Sequence, residues 1–181
     1  MLSEKRIKEA QSSVKSYLDE GLLVKQPSQE KVFKILLDNS NESLETADFL
    51  FKKNKSRLWV IVCSYYSMFY IANAVLLKVG YKVGDKIAHK VTNDALIVFV
   101  KDKLKSSLLE GYEEVKEDAL LIAKNKSEAI IENFEFERKK RGIIQYHTEE
   151  SEKVSKADTS LKRAKEFVAE MEKVIRDFDE K

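Results

Sequence analysis

Apolar positions recur along this chain at steps of three and four, the spacing that places side chains on one face of a helix. Ile7, Ala10, Val14, Tyr17 and Leu18 form one such stripe and predict a helix from about Ser3 to Glu20, which Gly21 can end. Pro27 and Ser28 mark a fresh start, after which Phe33, Leu36, Leu37, Leu44, Ala47 and Leu50 carry an apolar face to about Lys53. Lys52, Lys53 and Lys55 then suit the negative end of that helix. The run from Leu58 to Leu77, LWVIVCSYYSMFYIANAVLL, is apolar nearly all round, with Ser56 placed as an N-cap and Gly80 as a left-handed C-cap. A loop, YKVGDK, leads to a helix expected from Ala88 to about Leu109, and Gly111 separates that helix from a long segment beginning at Tyr112. From Glu152 to Phe178, Val154, Ala157, Leu161, Ala164, Val168, Met171, Ile175 and Phe178 make a heptad seam, read as packing within the chain rather than against a second copy.

Composition sharpens this into an all-α chain. One proline and five glycines in 181 residues leave too few turn residues for a strand-rich fold. The length fits a single domain over residues 1–181. The Leu58–Leu77 run is long enough to span a membrane, but Ser64, Tyr65, Tyr66, Ser67, Tyr70 and Asn73 within it need polar partners, so a core helix and no membrane association are expected. The N-terminus has neither the apolar stretch of a signal peptide nor the acid-poor composition of a transit peptide, and no export is expected. Cys63 is the single cysteine, which rules out an intrachain disulfide and a cysteine-rich zinc site and fits a reducing cytoplasm.

Charge is abundant but balanced at a formal +2, so any basic site has to be local. The sequence has no phosphate-cradling glycine loop, no H-E-x-x-H pair and no G-x-S-x-G elbow. A di-iron bundle needs Glu-x-x-His pairs, and Lys86 and Ile144 stand where those glutamates would be; no cofactor or metal is expected. What remains is RKKRGIIQYH, Arg138 to His147. Cleavage of RNA without metal needs a base for the 2′-hydroxyl, an acid for the leaving oxygen and positive charge on the phosphorane. Histidine and arginine can supply these. The same string also reads as a solvated helix face in which Arg138, Lys139, Lys140 and Arg141 pair with Glu132, Glu135 and Glu137 one turn earlier. On a straight helix, six steps set Arg141 and His147 about 120° apart, so a shared site requires a bend near Gly142 or a second subunit. His89, close to an expected helix start, reads as a local hydrogen-bonding residue.

The stretch SYYSMFYIANAVL from Ser64 to Leu76, with Gly80-Tyr81 and Ala88-His89-Lys90-Val91 after it and Glu45 and Asp48 before it, resembles the HEPN domain family of prokaryotes. Within that family the chain looks most like an archaeal-looking branch sharing "ERKKR" and "QY". The resemblance implies an up-and-down helical bundle over residues 28–181 with residues 1–25 as an N-terminal helical addition, usually a homodimer, and in many members a metal-independent ribonuclease with an Arg-x(4–6)-His motif, a spacing that Arg141 and His147 satisfy. Carried over, His147 is the acid or base and Arg141 holds the scissile phosphate. Arg138, Lys139 and Lys140 follow the RNA backbone, and Tyr146 stacks on a base or bonds a phosphate. The resemblance also implies the toxin half of a toxin–antitoxin pair with a nucleotidyltransferase-type antitoxin; the alternative is a non-catalytic module binding RNA, a nucleotide or a protein. Two positions depart from the pattern: Gly142 follows the arginine where active members carry a polar residue, and Thr148-Glu149 follow the histidine where toxins of that type read His-x-Tyr.

Overall fold

In a computed structural model of the chain, the described residues are 3–136 and 150–180. They form helices α1 (Glu4–Asp19), α2 (Glu30–Lys52), α3 (Arg57–Val79), α4 (Ala88–Phe99), α5 (Ser106–Phe136) and α6 (Glu150–Asp179). Two short strands, β1 (Leu23–Lys25) and β2 (Tyr81–Val83), pair antiparallel with Val24 opposite Lys82.

The most apolar segment takes the centre. Helix α3 packs against α2, α6, α5 and α4, and its Tyr65, Met68, Ile71, Ala72, Val75 and Leu76 are all at or below 1% exposed. It is also the one helix among the described residues long and apolar enough to cross a membrane, yet most of that window is buried inside the bundle. Some of its polar groups find partners there. Ser67 Oγ donates to the Ser64 carbonyl, Ser40 Oγ of α2 donates to the Ser67 carbonyl, and Asn73 Nδ2 donates to the Phe69 carbonyl. Such bonds let a helix with six polar side chains serve as a core.

Ion pairs fix the arrangement around it. Lys78 meets Asp179 at 2.7 Å, so α3 and α6 end together. Asp48, near the end of α2, is ion-paired to Lys165 of α6, while Arg163 pairs with Glu114 and Lys156 with Asp118, which runs α5 antiparallel to α6. Most of the α6 heptad seam lies inside the chain: Ala157, Leu161, Ala164, Val168, Met171 and Ile175 are all buried, Val154 at its start is exposed, and Phe167 stacks on Tyr112 with ring centres 5.3 Å apart. Helix α1 lies across α4.

Three expectations need correction. The segment from Ala88 to Leu109 is two helices: α4 stops at Phe99, a single 3-10 turn covers Lys101–Lys103, Leu104 is extended, and α5 begins at Ser106. Gly111 therefore breaks nothing; it sits inside α5, where Arg163 Cδ lies 3.4 Å from the position a Cβ would take. The YKVGDK loop contains β2, whose Tyr81 stacks on Phe99 at 4.1 Å. Ser56 occupies the cap position of α3 but makes no side-chain cap; Arg57 instead binds the Phe51 carbonyl and the Asn54 side chain, closing the turn. Gly80 does take the left-handed conformation, at φ 97°.

Candidate functional site

The sequence places RKKRGIIQYH between Phe136, the last residue of α5, and Glu150, the first of α6. Arg138, Lys139, Lys140, Arg141, Tyr146 and His147 lie outside the described residues, as do the side chains of Glu132, Glu135 and Glu137. The structure therefore brings none of them together or apart. It does describe two polar clusters around α4 that are candidates in their own right.

The first is centred on His89. One residue into α4, its ring enters a cage made by Tyr65, Tyr66 and Phe69 of α3, with centroids 5.5, 6.0 and 4.7 Å away. The Tyr65 hydroxyl lies 2.7 Å from Nδ1. Burial, and then the charge of Lys116 on α5, push the His89 pKa down, so the imidazole is neutral at pH 7. Behind Tyr65, the Tyr112 phenol is fully buried, with ring centres 5.9 Å apart. Burial pushes both phenols up, out of the range where they would ionise. The cluster is a neutral, preorganised wall between α3, α4 and α5. It bears out the reading of His89 as a local hydrogen-bonding residue, and Tyr65 was its unforeseen partner.

The second cluster was not foreseen. Arg6 of α1 donates to Asp94 Oδ1 of α4 at 2.7 Å, and to Glu113 Oε1 of α5 from Nε at 3.1 Å and from a terminal nitrogen at 2.9 Å. Tyr17 donates to Asp94 Oδ2 at 2.9 Å, and Asn93 Nδ2 to Glu113 Oε1 at 2.7 Å. Burial, and then the bond to Asp94, push the Tyr17 phenol up to about 12. Every oxygen facing inward has a donor, so this is a clamp rather than an open binding site. One signal was available: Asp94 interrupts the apolar run of VTNDALIVF, and a carboxylate there requires a cation.

Metal chemistry finds no seat here: no group of three His, Cys, Asp or Glu side chains converges among the described residues. Cys63 is half-buried, and burial raises its thiol pKa, which keeps it a poor nucleophile. A shallow cavity of about 260 Å³ between α5 and α6 is lined by Ser107, Glu110, Glu114, Arg163 and Glu166. Carboxylates dominate that lining, so it does not suit a phosphate.

The architecture is that of an all-α bundle built around one buried apolar helix. The HEPN domain family model matches residues 33–174, most of the chain, from Phe33 of α2 to Val174 of α6. The chain belongs to the HEPN domain family. No curated protein and no solved structure matches it. Helix α1, including Arg6 and Tyr17 of the clamp, precedes the matched stretch.

Proposed function

We propose that this HEPN protein is a metal-independent endoribonuclease that works in the cytoplasm as a homodimer. The observation that carries the reading is an Arg-x5-His motif, Arg141 to His147, in a chain whose family membership covers that stretch. His147 exchanges the proton with the 2′-hydroxyl or the leaving oxygen, and Arg141 holds the phosphate as charge develops on it. Arg138, Lys139 and Lys140 contact the backbone without reading sequence, and Tyr146 stacks on a base or bonds a phosphate. Two motifs facing each other across a dimer would relieve the 120° offset that a single helix imposes. The chain would then be the toxin half of a pair with a nucleotidyltransferase-type antitoxin, and residues 1–25 are an addition to the domain.

A second reading, a non-catalytic module that binds RNA, a nucleotide or a protein through the same cations, is favoured by Gly142 and by Thr148-Glu149, the two departures from the active pattern. One experiment separates them: incubation of labelled RNA with purified protein in excess EDTA, wild type against His147→Ala, with analysis of the product ends. Cleavage confined to wild type and leaving 2′,3′-cyclic phosphate is the expected result. Salt-sensitive binding without cleavage, equal in both proteins, replaces the enzyme with the module.

A further inference from the structure

Between Asp48 and Asp85 the chain contains no carboxylate, and four of the six cations of that interval fall within six residues of one another. Lys52, Lys53, Lys55 and Arg57 lie in and beside the turn joining α2 to α3. Two large rings flank the same turn. Phe49, three residues before the end of α2, is 59% exposed, and Trp59, two residues after the start of α3, is 53% exposed. At about 1.5 Å of rise per residue, both rings lie within roughly 5 Å of the hairpin's tip, measured along the helices.

The tip is built rather than loose. Lys53 N bonds the Phe49 carbonyl at 2.9 Å, Asn54 N the Phe51 carbonyl at 3.1 Å, and Lys55 N the Leu50 carbonyl at 2.8 Å. Arg57 lies over the Phe51 ring, 4.9 Å from its centre, and is tied to the turn by its bonds to the Phe51 carbonyl and Asn54. The one acid at its base, Asp48, is already held by Lys52 and Lys165. Lys53 and Lys55 are exposed beside the rings.

We infer that the α2–α3 tip is a docking surface for single-stranded RNA, with unpaired bases stacking on Trp59 and Phe49 and phosphates meeting Lys53, Lys55 and Arg57. Exposed planar rings near cations, with Asp48 already neutralised by two lysines, are what a strand needs, because every base offers a face to stack while the backbone carries the charge. A duplex hides those faces. A second copy is disfavoured because a two-fold contact would set the four cations against themselves. A membrane is disfavoured because the exposed apolar side chains of the tip are two separated rings rather than a continuous patch. This surface is separate in sequence from RKKRGIIQYH. It rests on the reading of the protein as RNA-acting for the identity of the strand, but not on whether the protein cleaves.

Trp59 is the only tryptophan, so the intrinsic fluorescence of the full chain reports on this one position. The test is a titration of His147→Ala protein, in EDTA, with single-stranded RNA of about a dozen nucleotides, enough to fill a site of ordinary size. Parallel titrations use a duplex of the same length and vesicles of equal parts phosphatidylserine and phosphatidylcholine. The expected result is quenching by the single strand and little response to the duplex or vesicles. Anisotropy of labelled RNA should show Trp59→Ala weakening binding about tenfold, the scale of one lost stack, while Trp59→Phe retains most of it. Lys53→Gln with Lys55→Gln leaves the reporter in place and should make the salt dependence shallower by about 1.4, at about 0.7 per phosphate contact on a single strand.

RNA binding seen by anisotropy with no change at Trp59 overturns the inference. So does a blue shift with vesicles alone, which makes the tip a membrane contact, or a change with protein concentration alone, which makes it a self-contact. The catalytic reading fails separately: quenching with no cleavage by wild type leaves the strand surface standing and removes the enzyme.

Discussion

Replacing Arg6 with alanine tests whether α1 is held to the bundle by charge. The Asp94 side chain is 4% exposed and the Arg6 side chain 25%, and Arg6 is the only cation the structure places on Asp94 among the described residues. Its loss leaves Asp94 with the Tyr17 hydroxyl alone and Glu113 with Asn93. Breaking a fully buried pair by removing one partner costs about 3–5 kcal/mol. Water can reach this one through the quarter of Arg6 that is exposed, so a loss of about 2–3 kcal/mol is expected. For a chain of this size that corresponds to a fall in Tm of roughly 5–10 °C by calorimetry or by circular dichroism. Arg6→Met with Asp94→Leu removes both charges and keeps apolar volume, and it should recover at least about 1 kcal/mol relative to the sum of the two single changes. A Tm for Arg6→Ala within about 1 °C of wild type, or strict additivity in the cycle, would refute the reasoning and make the clamp a crossing of solvated side chains.

Two further outcomes follow from geometry already given. Because the folded state holds the His89 pKa below its ordinary value, the unfolded chain takes up the proton first as pH falls. The contribution of His89 should therefore be flat above about pH 6.5 and turn destabilising below it, as denaturant melts across that range would record. His89→Phe should flatten that slope; an unchanged slope would show that the imidazole is not desolvated. Gly111→Ala places a methyl in ordinary contact with Arg163, a side chain that can yield, so helix propensity decides the sign. A gain of about 0.5–1 kcal/mol in urea melts is expected, and a loss would mean the α5–α6 approach at Gly111 is tighter than its distances imply.

What could be read in the sequence was whatever had a period. The stripes of α1, α2 and α6 and the apolar run of α3 are long enough for their repeat to stand out, and their ends came within a few residues. Strands β1 and β2 are three residues each, too short for any alternation to register. The break between α4 and α5 was misplaced because Gly111 was taken as a helix end, whereas it sits inside α5 and the chain turns at residues 100–105 without a glycine. The Arg6–Asp94–Glu113 clamp joins residues about a hundred positions apart, and no local pattern encodes such a meeting beyond the oddity of a carboxylate in an apolar helix. Arg141 and His147 were legible only as a spacing within a family, since spacing alone does not decide between a site and a solvated face.

The same clamp sets an order of events at the ribosome. Arg6 is synthesised 88 residues before Asp94 and 107 before Glu113. At about 5–20 residues per second, α1 leaves the exit tunnel several seconds before either carboxylate exists. During that interval the stripe of Ala10, Val14 and Tyr17, which the finished fold buries, has no bundle to lie on. Helix α1, made before the rest of the bundle, is thus among the last to dock, and a nascent chain stalled before α5 would carry an unclamped α1.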